Sequence, residues 1–157
     1  MRNTWILLGL LSFASTSFAQ HEAAGEESHI PHGPHHLSIL VARTHLSSEG
    51  DNATFGIDYE YRISPLLGVG AVIEHAFDEL DATTALGVVD IHIYKGFAIQ
   101  VGPGVEHRKG EYVFVARTGV LYEIEYKNFT LSPQLHWDYH HEEANAIVAG
   151  ISIGLSF

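Results

Sequence analysis

The stretch Gly150-Ile151-Ser152-Ile153-Gly154-Leu155-Ser156-Phe157 alternates without a fault. In an extended strand successive side chains point to opposite faces, so Ile151, Ile153, Leu155 and Phe157 share one side and Ser152, Gly154 and Ser156 the other. A helix would scatter the same residues around its circumference. Read outward from this stretch, the two-residue period recurs back to Leu37, interrupted only by clusters of turn-forming residues. The segments run over about 37 to 46, 53 to 63, 66 to 76, 84 to 94, 97 to 106, 111 to 126, 129 to 140 and 145 to 157. Eight strands of this kind predict an all-β, antiparallel, up-and-down arrangement.

The connections differ in kind. Ser64-Pro65, Lys95-Gly96 and Lys127-Asn128 read as tight turns, whereas Ser47 to Asn52, Phe77 to Thr83, His107 to Gly110 and His141 to Ala144 read as longer, mostly charged loops. Longer loops on one rim and tight turns on the other is the asymmetry of a membrane barrel whose short turns face the periplasm.

Alternation alone does not say which face is inside, because a soluble barrel alternates too. Composition decides. One face carries Phe55, Ile57, Tyr59 and Tyr61, then Phe97, Ile99 and Val101, then Phe129, Leu131, Leu135, Trp137 and Tyr139, with its aromatics near strand ends. Aromatic rings there form the girdles of a bilayer-spanning barrel around an aliphatic band. The opposite face holds Gly68, Gly70, Gly102, Gly104, Gly119, Gly150 and Gly154 with serines, amides and charged groups, a set suited to a narrow lumen. The expected fold is an eight-stranded transmembrane β-barrel.

Ahead of the barrel, Arg2, the apolar run Trp5 to Phe13 and the small-residue site Ser17-Phe18-Ala19 read as a secretory signal peptide over 1–19. Residues 20–36 are polar, rich in histidine and broken by Gly25, Pro31, Gly33 and Pro34, so they are expected to form a disordered periplasmic leader before the barrel at 37–157. The formal charge of −11 excludes the Lys/Arg footprint that nucleic acid requires and favours cations instead. Cysteine is absent, which removes disulfide and thiolate chemistry.

A two-periodic strand closing on an aromatic, Phe157, resembles the C-terminal signature of bacterial outer-membrane β-barrels that the barrel assembly machinery reads. The segments DYEYRISPLLGVGAVIEHA (Asp58 to Ala76), GPGVEH (Gly102 to His107) and FTLSPQ (Phe129 to Gln134) resemble the small outer-membrane β-barrel superfamily, of the OmpA/OmpX-like and porin kind. Within it they look like a group of Gram-negative barrels with no established activity. The resemblance implies an outer-membrane location, lipid and the assembly machinery as partners, and Phe157 as the assembly signal. It lends no catalytic residue.

Strand parity turns Asp58, Glu60, Arg62, Glu74, Asp90, His92, Glu106, Arg117, Glu123, Glu125, His136 and Asp138 into the lumen. An ionised carboxylate in a dry interior is costly unless paired, so Arg62 and Arg117 are the expected organising cations of a polar network. By the same reading Asp58 and Arg117 sit near mid-height, Glu74, Glu106, His136 and Asp138 near the outer rim, and Glu60, Arg62, Glu123 and Glu125 near the periplasmic rim. Such a network either plugs the barrel or, since acidic rings favour cations, lines a narrow cation-selective pore.

His21, His29, His32, His35 and His36 crowd the leader and are candidate ligands for Zn or Cu, imidazole being the commonest metal ligand. No cofactor is required by any motif. A second candidate cation site is a rim cluster of His136, His140, His141 and Glu142. The tripeptides His36-Leu37-Ser38 and His45-Leu46-Ser47 place a His and a Ser on one strand face, which keeps a lipid-modifying or hydrolytic enzyme as a further alternative without a third residue to orient the histidine. The reading favoured by the residues is a structural or surface-interaction barrel. Oligomeric state is not written in the chain.

Overall fold

The computed structural model describes residues 33–46, 50–141 and 144–157, and within them the chain is all strand and turn. In chain order the strands are β1 (His35–Leu46), β2 (Gly50–Arg62), β3 (Leu67–Ala76), β4 (Ala82–Tyr94), β5 (Phe97–Arg108), β6 (Glu111–Tyr122), β7 (Ile124–Tyr126), β8 (Phe129–His140) and β9 (Ala146–Ser156). Successive strands from β1 to β6 pair antiparallel, β8 pairs with β9, β1 pairs with β9, and both β6 and β7 pair with β8. The sheet therefore closes on itself. Because β6 and β7 together form one stave, the barrel has eight.

Two boundaries differ from the sequence reading. The expected single strand over 111 to 126 breaks at Glu123, whose N–H donates to the carbonyl of Gly96 in the neighbouring turn at 2.7 Å. At the other end β1 starts at His35, inside the span expected to be leader, because His35 and Phe157 exchange backbone hydrogen bonds of 3.2 and 2.9 Å. The signal peptide and residues 20–32 lie outside the described residues.

Turn lengths also differ. The connection expected over His107 to Gly110 is a two-residue turn, Lys109-Gly110, with φ of 51° and 86°. Two positive φ values match the twist of the flanking strands. Lys95-Gly96 does the same with 44° and 87°. The contrast between the rims is thus smaller than the sequence suggests. The rim holding His35 and Phe157 is called the terminal rim below, and the rim holding 77–81 and 141–145 the far rim.

The outer surface is apolar. Ile39, Val41, Ile57, Ile73, Val120, Leu135, Ile151 and Ile153 form an exposed aliphatic band. Tyr61, Tyr94, Phe97, Tyr122, Tyr126, Phe129 and Phe157 ring one edge of it and Phe77, Tyr112, Phe114, Trp137 and Tyr139 the other, all exposed. A water-soluble protein rarely leaves so continuous an apolar surface uncovered, whereas a barrel in lipid must. The strands pair around a closed sheet with no free edge, which is the condition for strands to cross hydrocarbon.

Candidate functional site in the lumen

The lumen is packed in layers from rim to rim. At the far rim Leu46, Ala76, Leu80, Ala82 and Ala146 form a buried apolar cluster, with Ala144 against it. Leu80 comes from the acidic connection between β3 and β4, and its N–H donates to Asn52 Oδ1 at 3.2 Å. That bond turns the leucine inward, and at 1% exposure it caps the barrel.

Below the cap, Thr84 Oγ1 and His140 Nε2 meet Glu106 Oε2 at 3.1 and 3.2 Å. The next layer is built on Arg117. Its guanidinium donates two bonds to Glu74 and two to Asp138, all between 2.5 and 2.7 Å. Its side chain is 1% exposed, so these are buried, bidentate ion pairs, the strong kind. Valine and leucine side chains fill the space around them: Val72, Leu86, Val88 and Val115 in one cluster, Leu40, Ala42 and Val148 in another.

Nearer the terminal rim, Gln100 Nε2 donates to Asp58 Oδ2 at 3.2 Å and to Asp90 Oδ1 at 3.0 Å, bridging two carboxylates. The last layer holds Arg62, Glu60, Glu123 and His92. Arg62 donates to Glu123 Oε1 at 2.6 Å and to Glu60 Oε2 at 3.3 Å, with Glu125 Oε1 at 3.8 Å. His92 Nε2 donates to Glu60 Oε1 at 2.7 Å and its Nδ1 lies 3.4 Å from Glu123 Oε2. Since β2 and the β6–β7 junction are four staves apart in a ring of eight, the Arg62–Glu123 pair crosses the full lumen.

Of the candidate ligand histidines, the two described ones face opposite sides of the barrel wall. His35 faces outward and stacks on Phe157, ring centroids 5.5 Å apart at 17°, while His36 faces the lumen. His21, His29 and His32 lie outside the described residues. Of the expected rim cluster, His136 stands apart from His140 and His141. Parity along β8 buries His136 and His140 in the lumen, at 1% and 2% exposure, and leaves His141 exposed beyond the strand end. His136 Nε2 meets Gln134 Oε1 at 2.8 Å, a layer away from the Glu106–His140 pair, and Glu142 is outside the described residues. His36 Nε2 has no hydrogen-bond partner, so it does not contact Ser38 as a base would contact a nucleophile.

One grouping was not singled out beforehand. A ligand atom each of His36, Glu60 and Glu123 lies within 4.8 Å of the others, and all three residues are buried. Parity put Glu60 and Glu123 inside, but His36 read as leader, so the trio was hidden by the strand boundary.

A closed eight-stranded barrel with a polar, layered lumen and an apolar belt is the architecture of small transmembrane barrels of the outer-membrane type. Solved structures agree. The N-terminal β-barrel domain of Pseudomonas aeruginosa OprF superposes with a TM-score of 0.60 at 14% identity, over 78% of this chain and 97% of that one. Ail, the attachment invasion locus protein of Yersinia pestis, solved with the heparin analogue sucrose octasulfate, gives 0.57 at 14% identity, over 78% and 97%. A de novo designed transmembrane β-barrel gives 0.56 at 17% identity, over 80% and 100%. No protein-family description and no curated protein sequence matches the chain. The likeness is one of fold, and the apolar belt suits a barrel that lies in a bilayer.

Proposed function

We propose that this protein is a closed, non-conducting outer-membrane barrel that serves envelope structure or surface interaction. The observation that carries this reading is the filled lumen. Two cavities among its described residues measure about 20 Å³ near the terminal rim and about 10 Å³ near the far rim. Each has room for about one water molecule and neither admits a file of hydrated ions. A structural barrel needs its lumen to resist collapse, and crossed ion pairs over valine and leucine do that. Its partners are then lipid along the belt and the barrel assembly machinery at Phe157.

The alternative of a narrow cation-selective pore draws support from the carboxylate surplus in the lumen. It requires an open path. Single-channel recording in planar bilayers separates the two: purified barrel inserted at one copy per bilayer is expected to give no steps in KCl. Reproducible cation-selective steps from a heat-modifiable, folded sample would replace the structural reading with the pore.

A further inference from the structure

We propose that the lumen near the terminal rim is a binding site for one divalent transition-metal cation, held by His36 Nε2, Glu60 and Glu123. Three independent features converge there. The donor atoms lie within 4.8 Å of one another. Zinc bonds to nitrogen and oxygen span about 2.0–2.2 Å, so the donors of a tetrahedral site sit about 3.4 Å apart and small side-chain rotations close the set.

The second feature is an orphan. His36 is 9% exposed, and its Nε2 is buried with no hydrogen-bond partner. A buried polar atom left unpaired carries its whole desolvation cost, so its persistence points to a missing ligand. Asp58 Oδ1 is likewise buried and unpartnered, and it lines the same cavity of about 20 Å³.

Charge is the third. That cavity is lined by Asp58, Glu60, Asp90 and Glu123 with His36 and His92, and by no lysine or arginine. Arg62 reaches Glu60 and Glu123 from the rim side. Arg62 and His92 between them touch both oxygens of Glu60 and both of Glu123, at 2.6–3.4 Å, and so orient the two carboxylates as outer-shell partners do, each oxygen keeping a second lone pair for a cation.

An imidazole with two carboxylates suits zinc, copper, nickel or iron and disfavours magnesium and calcium, which prefer oxygen alone. Three protein donors leave a fourth position for water, for which the cavity has room. The ligands come from β1, β2 and the β6–β7 junction, so a bound cation would tie three staves across the lumen. The inference needs the barrel fold and not its lack of conductance.

The test uses the full mature chain folded in detergent, stripped with chelator and titrated calorimetrically with Zn²⁺, with Mg²⁺ as control. Because His21, His29 and His32 can bind zinc on their own account, the reference is H21A/H29A/H32A. One Zn²⁺ per barrel is expected to bind that reference, and Mg²⁺ not. In the same background H36A should abolish the site, and Arg62→Gln should weaken it about 10- to 100-fold. Gly154→Ala supplies a variant with every donor retained, since its Cβ would lie 2.2 Å from His36 Nε2 and must push the ring away. It too should lose binding while keeping its heat-modifiable band. Zinc binding that disappears with the leader histidines, or that survives H36A, would overturn the proposal and leave the cavity to water.

Discussion

Arg117 on β6 reaches across three staves to Glu74 on β3 and holds it with two bonds, while the same guanidinium grips Asp138 on adjacent β8. One cation thus serves two carboxylates in a site without water contact. Burying such groups is expensive, and the pairing offsets the cost only while the set is complete. Its geometry also fixes how three strands face one another.

From this follows an asymmetric response to substitution. Arg117→Leu leaves two buried carboxylates without their cation and should cost about 3–5 kcal/mol of unfolding free energy. The triple replacement R117L/E74L/D138L removes the charges together and should cost much less. Urea unfolding in lipid vesicles, followed by tryptophan emission, compares them. Equal losses in the two variants would mean the three groups do not act as a unit.

Leu80 gives a second test. It is the only leucine of the Phe77–Asp81 connection and the center of the far-rim cap. Leu80→Ala should cost about 2–5 kcal/mol, as for other buried leucines, and speed hydrogen exchange at residues 77–81. The barrel should stay electrically closed, because the Arg117 layer lies beneath. A cost below about 1 kcal/mol would demote the cap to a surface contact.

What the sequence could tell depended on period. A two-residue alternation names the face of each side chain, so the apolar belt from Phe55 to Tyr139 and the inward direction of Glu60, Arg62, Glu74 and Arg117 were legible without coordinates. Parity carries no information on which inward residues meet. Arg62 and Glu123 are separated by 61 positions, and only closure of the barrel and its register bring them together. The lumen is also less polar than parity suggested, since Leu40, Val72, Leu86 and Val115 fill it. His36 sits in a polar stretch whose composition says leader, while the two backbone bonds between His35 and Phe157 carry β1 through it. Leu80 lies in the expected connection, and its inward turn depends on a bond to the distant Asn52 that composition does not show. For Leu80 a lone leucine within an acidic loop was the available signal.

His35 and Phe157 supply the third test. Their backbone bonds would survive Phe157→Ala, but the stacked rings and the lipid-facing aromatic would not. Stability measured on refolded protein should fall by only about 0.5–1.5 kcal/mol, the range for an aromatic pair. If the assembly machinery reads Phe157, as proposed, assembly in cells should fall far more than stability. Heat-modifiable barrel is quantified in membranes at equal expression. Comparable losses in both settings would assign Phe157 a purely structural part.

Sidedness is the last test, and the structure sharpens it. Turn lengths differ less between the rims than expected, with Lys109-Gly110 as tight as Lys95-Gly96. Orientation therefore rests on the five-residue connections 77–81 and 141–145, both on the far rim, against the short turn at Lys127-Asn128 on the terminal rim. In barrels of this kind the longer loops face outward. Asp81 is exposed, and Asn145 lies in the connection beside His140. Single cysteines at Asp81 and Asn145 should react with an impermeant maleimide on intact cells. One at Asn128 should react only after the outer membrane is permeabilised. The chain has no native cysteine to confuse the signal. Labelling of Asn128→Cys on intact cells with protection of the other two would invert the barrel, and would set the proposed cation site at the cell surface instead of the periplasm.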